Sequence, residues 1–214
     1  MPRRIPPSAR FALFVAVVAA VLILVLRSDL FARTVLARVP SHVLSWARDR
    51  SFFDDRLVAI EFADRIDSKR AMPFGTSVNE WWPLIAKLRG CLPTDAAAGA
   101  YLLSRLAPAG GLDPHDDAIR AWLEASSDEA TRDCLVFAMR HIQRSPEESR
   151  AVFLPLTRDP SAWVRAQSWM HLKAVGPLEA QDMPALRAAI ARESHPTCAK
   201  VLQHLLAEWE ATSP

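Results

Sequence analysis

Residues 159–176 read DPSAWVRAQSWMHLKAVG. Asp159-Pro160 is a helix-start signal, since a short acceptor side chain precedes a residue with no N–H to satisfy. Val175-Gly176 is a stop signal. Between them Val164, Ser168, Leu172 and Val175 fall three or four apart and form one stripe, while Trp163, Ala166, Met170 and Ala174 form a second. A helix with two apolar stripes needs neighbours on both sides, so the stretch predicts an internal layer of a stack.

The pattern recurs. SSDEATRDCLVFAMRHIQ at 126–143 places Arg132 where the first stretch has Arg165, 33 positions earlier. ESHPTCAKVLQHLLAEWEA, from 193, places Lys200 there 35 positions later, and PTDAAAGAYLLSRL, from 93, places Ala98 34 positions before Arg132. FDDRLVAIEFADRI, from 53, has the same appearance, separated from the next copy by an insertion around MPFGTS. Thr131, Leu135, Met139 and Ile142 repeat the first apolar stripe one unit upstream. A period of 33 to 35 lies in the range of stacked repeats.

Each copy also carries a second start: Asp113-Pro114, the capping box Ser145-Pro146-Glu147-Glu148, and Asp182 ahead of MPALRAAIAR. The unit is therefore read as two short antiparallel helices joined by a tight turn, with Asn79–Ile85 as the second helix of the first copy. Four hairpins and a final single helix are expected between residues 53 and 210, with Ser126, Asp159 and Asp113 at helix starts. These residues resemble the HEAT-repeat family in its short bacterial form, through Asp-Pro-x-x-x-Val-Arg at 159–165, Ser168, Leu172 and Pro-Ala-Leu at 184–186. The resemblance is carried most strongly by the copy at 159–193; Val-Arg is missing at 97–98 and 199–200. It implies an all-α, right-handed α-solenoid whose second helices line a concave, partner-holding surface, in a family mainly of scaffolds and adaptors with a few enzyme subunits.

The composition agrees with helices. Half of the 214 residues are hydrophobic, and 16 prolines against six glycines with one Tyr disfavour an all-β sandwich. Charge is divided unevenly. Arg3, Arg4, Arg10 and Arg27 flank the run FALFVAVVAAVLILVL at 11–26, and removing them leaves 22 basic against 24 acidic residues in the remainder. A remainder so near neutrality lacks the electrostatic footprint of a nucleic-acid binder. Residues 11–26 would extend roughly 24 Å as a helix, which flanking arginine stems lengthen toward the ~30 Å hydrocarbon layer. They are read as a transmembrane anchor, after a basic tail at 1–10 and before a juxtamembrane helical linker at 27–52; residues 211–214 form a tail. The linker is read either as an amphipathic helix at the headgroups or as the anchor helix continuing onto the domain. A signal peptide cleaved after Val35-Leu36-Ala37, leaving a secreted soluble form, competes with the anchor but needs a long, highly charged segment before the cut. The amino-terminal arginines tilt the orientation toward a cytoplasmic N-terminus, placing the repeat domain in the periplasm of a bacterial inner-membrane, single-pass protein.

Chemistry is sparse. Cys91, Cys134 and Cys198 have no CxxC or Cys/His metal spacing and read as small apolar residues buried in helices. The six histidines are scattered, and the sequence has no HExxH, phosphate loop or GxSxG. Asp113-Pro-His-Asp-Asp117 resembles a ligand cluster, yet Asp113 fits an N-cap, and Asp116 and Asp117 suit a helix dipole. Asp54, Asp55, Glu61, Asp64 and Asp67 alternate with arginines as a solvated face does. Arg132, Arg165 and Lys200 share a register expected to pair with neighbouring carboxylates or carbonyls. Arg120, Arg150, Arg158, Arg187 and Arg192 on or beside the second helices form a candidate basic strip for an acidic partner, and Trp81 with Trp82 form a candidate interaction patch.

No cofactor, metal or small-molecule substrate is expected, and no enzyme activity. The sequence is best read as a membrane-anchored adaptor holding a protein partner on its concave face, with an accessory subunit of a lyase-type enzyme as the rival reading. If residues 11–26 anchor the chain, it will sediment with membranes, resist carbonate extraction and retain Met1 or Pro2. A soluble form beginning near Arg38 would establish cleavage instead.

Overall fold

A computed structural model of the chain describes residues 54–68 and 77–212, together with Leu36 and Arg38. The expected anchor at 11–26, the basic tail and nearly all of the 27–52 linker lie outside the described residues. Among the described residues no helix is long and apolar enough to cross a membrane. Every regular element among them is helical, with no strand. The α-helices are α1 (Asp55–Asp67), α2 (Val78–Arg89), α3 (Pro93–Leu106), α4 (Asp116–Ala125), α5 (Glu129–Met139), α6 (Pro146–Leu156), α7 (Ala162–Val175), α8 (Met183–Arg192) and α9 (Pro196–Thr212). The last of them carries two residues beyond the expected boundary at 210.

The chain divides into two compact units, residues 1–76 with 82–102 and residues 77–81 with 103–214, so α2 and α3 contribute to both. In the first unit Asp54 caps α1 by accepting the Arg56 N–H at 2.9 Å. Leu57, Val58, Phe62, Leu84, Ile85, Leu88 and Leu102 are buried there. Leu36 is fully buried too, and its carbonyl accepts a hydrogen bond from the Arg65 guanidinium across 29 residues of chain. Arg65 also pairs with Glu61 one turn back at 2.9 Å, Asp55 pairs with Lys87, and the Tyr101 hydroxyl donates to Asp64 at 2.9 Å. The acidic face of α1 is therefore largely engaged within the protein rather than simply solvated.

In the second unit the first helices stack on one another: α7 packs on both α5 and α9. Each also packs on the second helix before it, α5 on α4, α7 on α6 and α9 on α8. The short turns lie at those same junctions, residues 126–128, 157–161 and 193–195, whereas the linkers inside each copy are longer, at 107–115, 140–145 and 176–182. The tightest hairpin thus spans the boundary between two copies, not the interior of one. The longer linkers have to hold the start signals: 3₁₀ turns at Asp113–His115 and Ala180–Asp182, and the Ser145 cap. Gly110 and Gly111, both in the left-handed region at φ 86° and 82°, reverse the chain inside the 107–115 linker, a conformation that costs other residues about 1 kcal/mol or more each.

Several start signals act as read. Ser145 accepts the Glu148 N–H while the Glu148 carboxylate accepts the Ser145 N–H at 2.9 Å, with Pro146 in the first turn. Asp182 stands immediately before α8. Three others are displaced. Asp128, not Ser126, caps α5, accepting the Thr131 N–H at 2.8 Å, because Ser126 is still the extended C-cap of α4. Ser161, not Asp159, caps α7, and the Asp159 carboxylate is buried elsewhere. Asp113 opens a 3₁₀ turn and accepts the Gln143 N–H of the next linker at 3.0 Å.

The first apolar stripe is buried at Val164, Ser168 and Leu172, with Val175 at its end only half-buried, and at Thr131, Leu135, Met139 and Ile142 one copy earlier. The second stripe is shifted. Trp163 and Met170 are exposed, and the second buried edge of α7 is Ala166 with Trp169. Trp169 takes the buried position expected of Met170, one residue along the helix. Asp128→Ala will lower stability by about 1 kcal/mol and Ser126→Ala by less than about 0.5 kcal/mol in chemical denaturation; the reverse order would return the cap to Ser126.

Candidate partner-binding groove

The shared basic register supplies the framework of the site at Arg132 and Arg165, whereas Lys200 is exposed and has no side-chain partner among the described residues. Arg132 Nη1 donates to the carbonyls of Leu123 at 2.6 Å and Ser126 at 2.8 Å, which terminate α4. Its Nε and Nη2 reach the carboxylate of Asp159, whose side chain is 2% exposed. Arg165 repeats the arrangement: Nη1 donates to the carbonyls of Asp159 at 2.8 Å and Pro160 at 2.7 Å, and Nε and Nη2 bind Glu193 at 3.0 and 2.7 Å. Each carboxylate also takes the N–H two residues ahead, Ser161 at 2.9 Å and His195 at 3.0 Å. One guanidinium thus satisfies the orphan carbonyls after a helix and clasps an acid one copy further on. The separations are 27 and 28 residues. Where the register holds Ala98, the corresponding acid position is Ser126. Burial works against charge on Glu193, but the His195 N–H and Arg165 outweigh it and hold the carboxyl below its usual range.

Other links join residues 28 to 35 positions apart. Arg144, nearly buried, reaches back to Asp116 at 2.6 Å and donates to the Met139 carbonyl at 2.8 Å. Ser161 Oγ donates to Glu129 at 2.9 Å, Gln167 binds Asp133, and Lys173 pairs with Glu208. The Asp113-Pro-His-Asp-Asp117 cluster is dispersed by these bonds: Asp116 serves Arg144 and Arg120, Asp117 serves Arg120, and His115 meets Asn79 at 2.9 Å. Among the described residues no group of three or more His, Cys, Asp or Glu side chains is placed to hold a metal ion.

Of the histidines on the first helices, His141 and His171 lie near enough to feel each other's charge, and His204 does not join them. His171 is buried against Phe153 with ring centroids 4.1 Å apart, His141 lies on Phe137, and His204 is exposed. Burial, with Arg140, Arg144 and His141 adding positive charge nearby, pushes the His171 imidazole down to about 4, so it stays neutral at physiological pH. All three thiols are free. Cys91 is exposed in the α2–α3 turn rather than buried in a helix, while burial raises the Cys134 and Cys198 thiols and keeps them protonated.

The candidate basic strip separates into two groups. Arg120 pairs with Asp116 and Asp117 on its own helix. Arg150 forms a two-pronged pair with Asp182 at 2.8 and 3.1 Å, and Arg187 pairs with Glu210 at 2.9 Å. Burial opposes charge on Asp182, but Arg150 and the Glu179 N–H outweigh it and keep the carboxyl ionised. Arg158 and Arg192 are exposed and carry no ion pair among the described residues. Both line one open groove of about 670 Å³ between the α6–α7 turn and α8, floored by Trp169 and Arg165 of α7. The tryptophan patch does not form. Val78, Trp81, Ile85 and Leu88 recur at helical spacing as the buried face of α2, so Trp81 is 1% exposed and only Trp82 is half-buried.

Comparison with protein-family models, with curated proteins and with solved structures gives no match. The groove has to be read from its own chemistry. Trp169 was invisible as a groove residue in the sequence because it occupies the interval between the two stripes. The Arg132–Asp159 and Arg165–Glu193 links had a legible signal, an acid 27 or 28 residues after each register arginine and none after Ala98. Asp159→Ala will cost about 3 kcal/mol or more by stranding the Arg132 charge. Arg132→Ala will cost a similar amount, and the double variant much less than the sum in a denaturation cycle. Arg187→Ala, in an exposed pair, will change stability by less than about 1 kcal/mol. Additivity at 132 and 159 would remove the link as a structural device.

Proposed function

We propose that the chain is a single-pass membrane-anchored adaptor whose HEAT-like repeats form a right-handed α-solenoid that holds a protein partner without catalysis. The observation that supports this reading most directly is how the second unit uses its charges. Arg120, Arg132, Arg144, Arg150, Arg165 and Arg187 are all spent on carboxylates of the same chain. Arg158 and Arg192 are not, and they stand over the same groove. Arg140 and Lys200 also lack ion pairs among the described residues, but neither lines the groove. Arg158 and Arg192 suit recognition of an external anionic group.

The anchor reading supplies the place of action. Residues 11–26 would hold the repeats near a bilayer. The Leu36–Arg65 bond would tie the adjoining linker to the first unit, so that a partner held by the domain is kept close to the membrane. The rim position of the unpaired arginines favours steering and specificity over a large burial of apolar surface.

The test is protease treatment of intact spheroplasts expressing the full chain, followed by recovery of the chain and its partners from detergent extract. The repeat domain will be digested from outside, and a distinct protein will co-purify at near-equal amounts. Complete protection from the protease would reverse the topology, and repeated recovery of the chain alone would overturn the adaptor reading.

A further inference from the structure

The groove beside Trp169 has a chemistry more specific than "basic". Four charges there cancel within the protein: Arg165 is held by Glu193, and Asp159 by Arg132. What remains on the groove surface is the pair Arg158 and Arg192, both exposed and both free of ion pairs among the described residues. Arg165 cannot turn toward a ligand without abandoning two carbonyls and a carboxylate that is fully buried. The two free guanidiniums therefore define the polarity of any occupant.

The wall opposite the α6–α7 turn is built differently. Ala185, Ala188 and Ala189 of α8 line it, so along that stretch only methyl groups face the groove, with Arg192 at the end of the same helix. The floor is the buried ring of Trp169, whose indole N–H has no acceptor among the described residues. A methyl-lined wall lets a main chain approach closely, an aromatic floor provides apolar contact, and a planar guanidinium at the rim matches a carboxylate through two parallel hydrogen bonds. The groove is open, and its volume of about 670 Å³ accommodates a few residues of an extended chain.

We propose that this groove receives an extended acidic segment of the protein partner, with Asp or Glu carboxylates bound by Arg158 and Arg192 and the segment's main chain lying along the Ala185–Ala188–Ala189 face over Trp169. This rests on the adaptor reading and names the chemistry of the partner. The acid is read by the two free arginines, the small-residue wall selects against bulky side chains next to it, and the clasped arginines keep the groove's shape. Carboxylate recognition through rim guanidiniums also makes the interaction fall with ionic strength.

The full chain in detergent micelles is titrated, by fluorescence anisotropy, against a labelled decapeptide of alternating Glu and Ala and against the same peptide with Gln for Glu. The Glu peptide will bind and the Gln peptide will bind at least tenfold more weakly, as loss of charge-assisted hydrogen bonds requires. Arg158→Gln and Arg192→Gln will each weaken the Glu peptide by about tenfold and the double variant by about a hundredfold, with an unchanged thermal midpoint. Arg120→Gln, whose guanidinium is paired on its own helix, will leave the affinity as it is. Ala188→Leu will abolish binding by filling the wall while leaving both arginines in place. Equal binding of the two peptides, or indifference to the double substitution, overturns the proposal. So does displacement of the Glu peptide by inorganic phosphate at the same concentration as free glutamate-containing peptide, which would mark a phosphate site. The co-purifying partner separates this failure from that of the adaptor reading: a partner still recovered with the double variant removes the groove and keeps the adaptor, whereas no partner with either chain removes both.

Discussion

The guanidinium that closes one helix turn and clasps the acid of the next organises the second unit. A helix end and the turn that follows it leave carbonyls with no intrahelical partner. Arg132 and Arg165 cover them, and with the remaining nitrogens each binds a carboxylate 27 or 28 residues ahead. The carboxylate in turn braces its own turn through an N–H two residues away. Three separate polar debts are settled by one side chain, and the acid can be almost fully buried only because all of its partners arrive together. Apolar packing of α5, α7 and α9 provides most of the attraction, but it is non-directional. The clasp specifies which turn faces which, and so holds the register between successive copies.

That economy explains the distribution of function over the arginines. A basic side chain on such a framework is normally claimed by a neighbour, as Arg120, Arg144, Arg150 and Arg187 are. Counting arginines along the second helices therefore overstates the surface charge available to a partner. Arg158 and Arg192 stand out by contrast, since they follow the ends of their helices or close them, where no acid among the described residues meets them. The same accounting disposes of the acidic cluster at 113–117, which becomes a set of links to Gln143, Arg144 and Arg120.

The first unit offers a smaller version of the same principle. Arg65 is nearly buried, balanced by Glu61, and uses its outer nitrogen on the Leu36 carbonyl. A fully buried Leu36 ties this part of the linker to the domain rather than leaving it as a free tether.

Much was legible from the sequence because it depends on local rules. The helical class, the positions of α6 and α8 and the capping box at Ser145 follow from period, proline and short-range hydrogen bonding. The buried stripe of α7 at Val164, Ser168 and Leu172 follows from the same 3.6-residue repeat. Other features required the folded chain. Whether Asp159 caps its own helix or answers Arg132 depends on a partner 27 residues away, and the local pattern suits either. Whether Trp169 or Met170 faces inward depends on the space between neighbouring helices. Arg150 and Arg158 look alike in sequence, and only the position of Asp182 makes one a strut and leaves the other free. Helical periodicity and caps are set within a few residues of chain, so the sequence by itself determined them. The partner of a charge is set by which distant turn is packed beside it, so only the tertiary structure decided which arginines remain available.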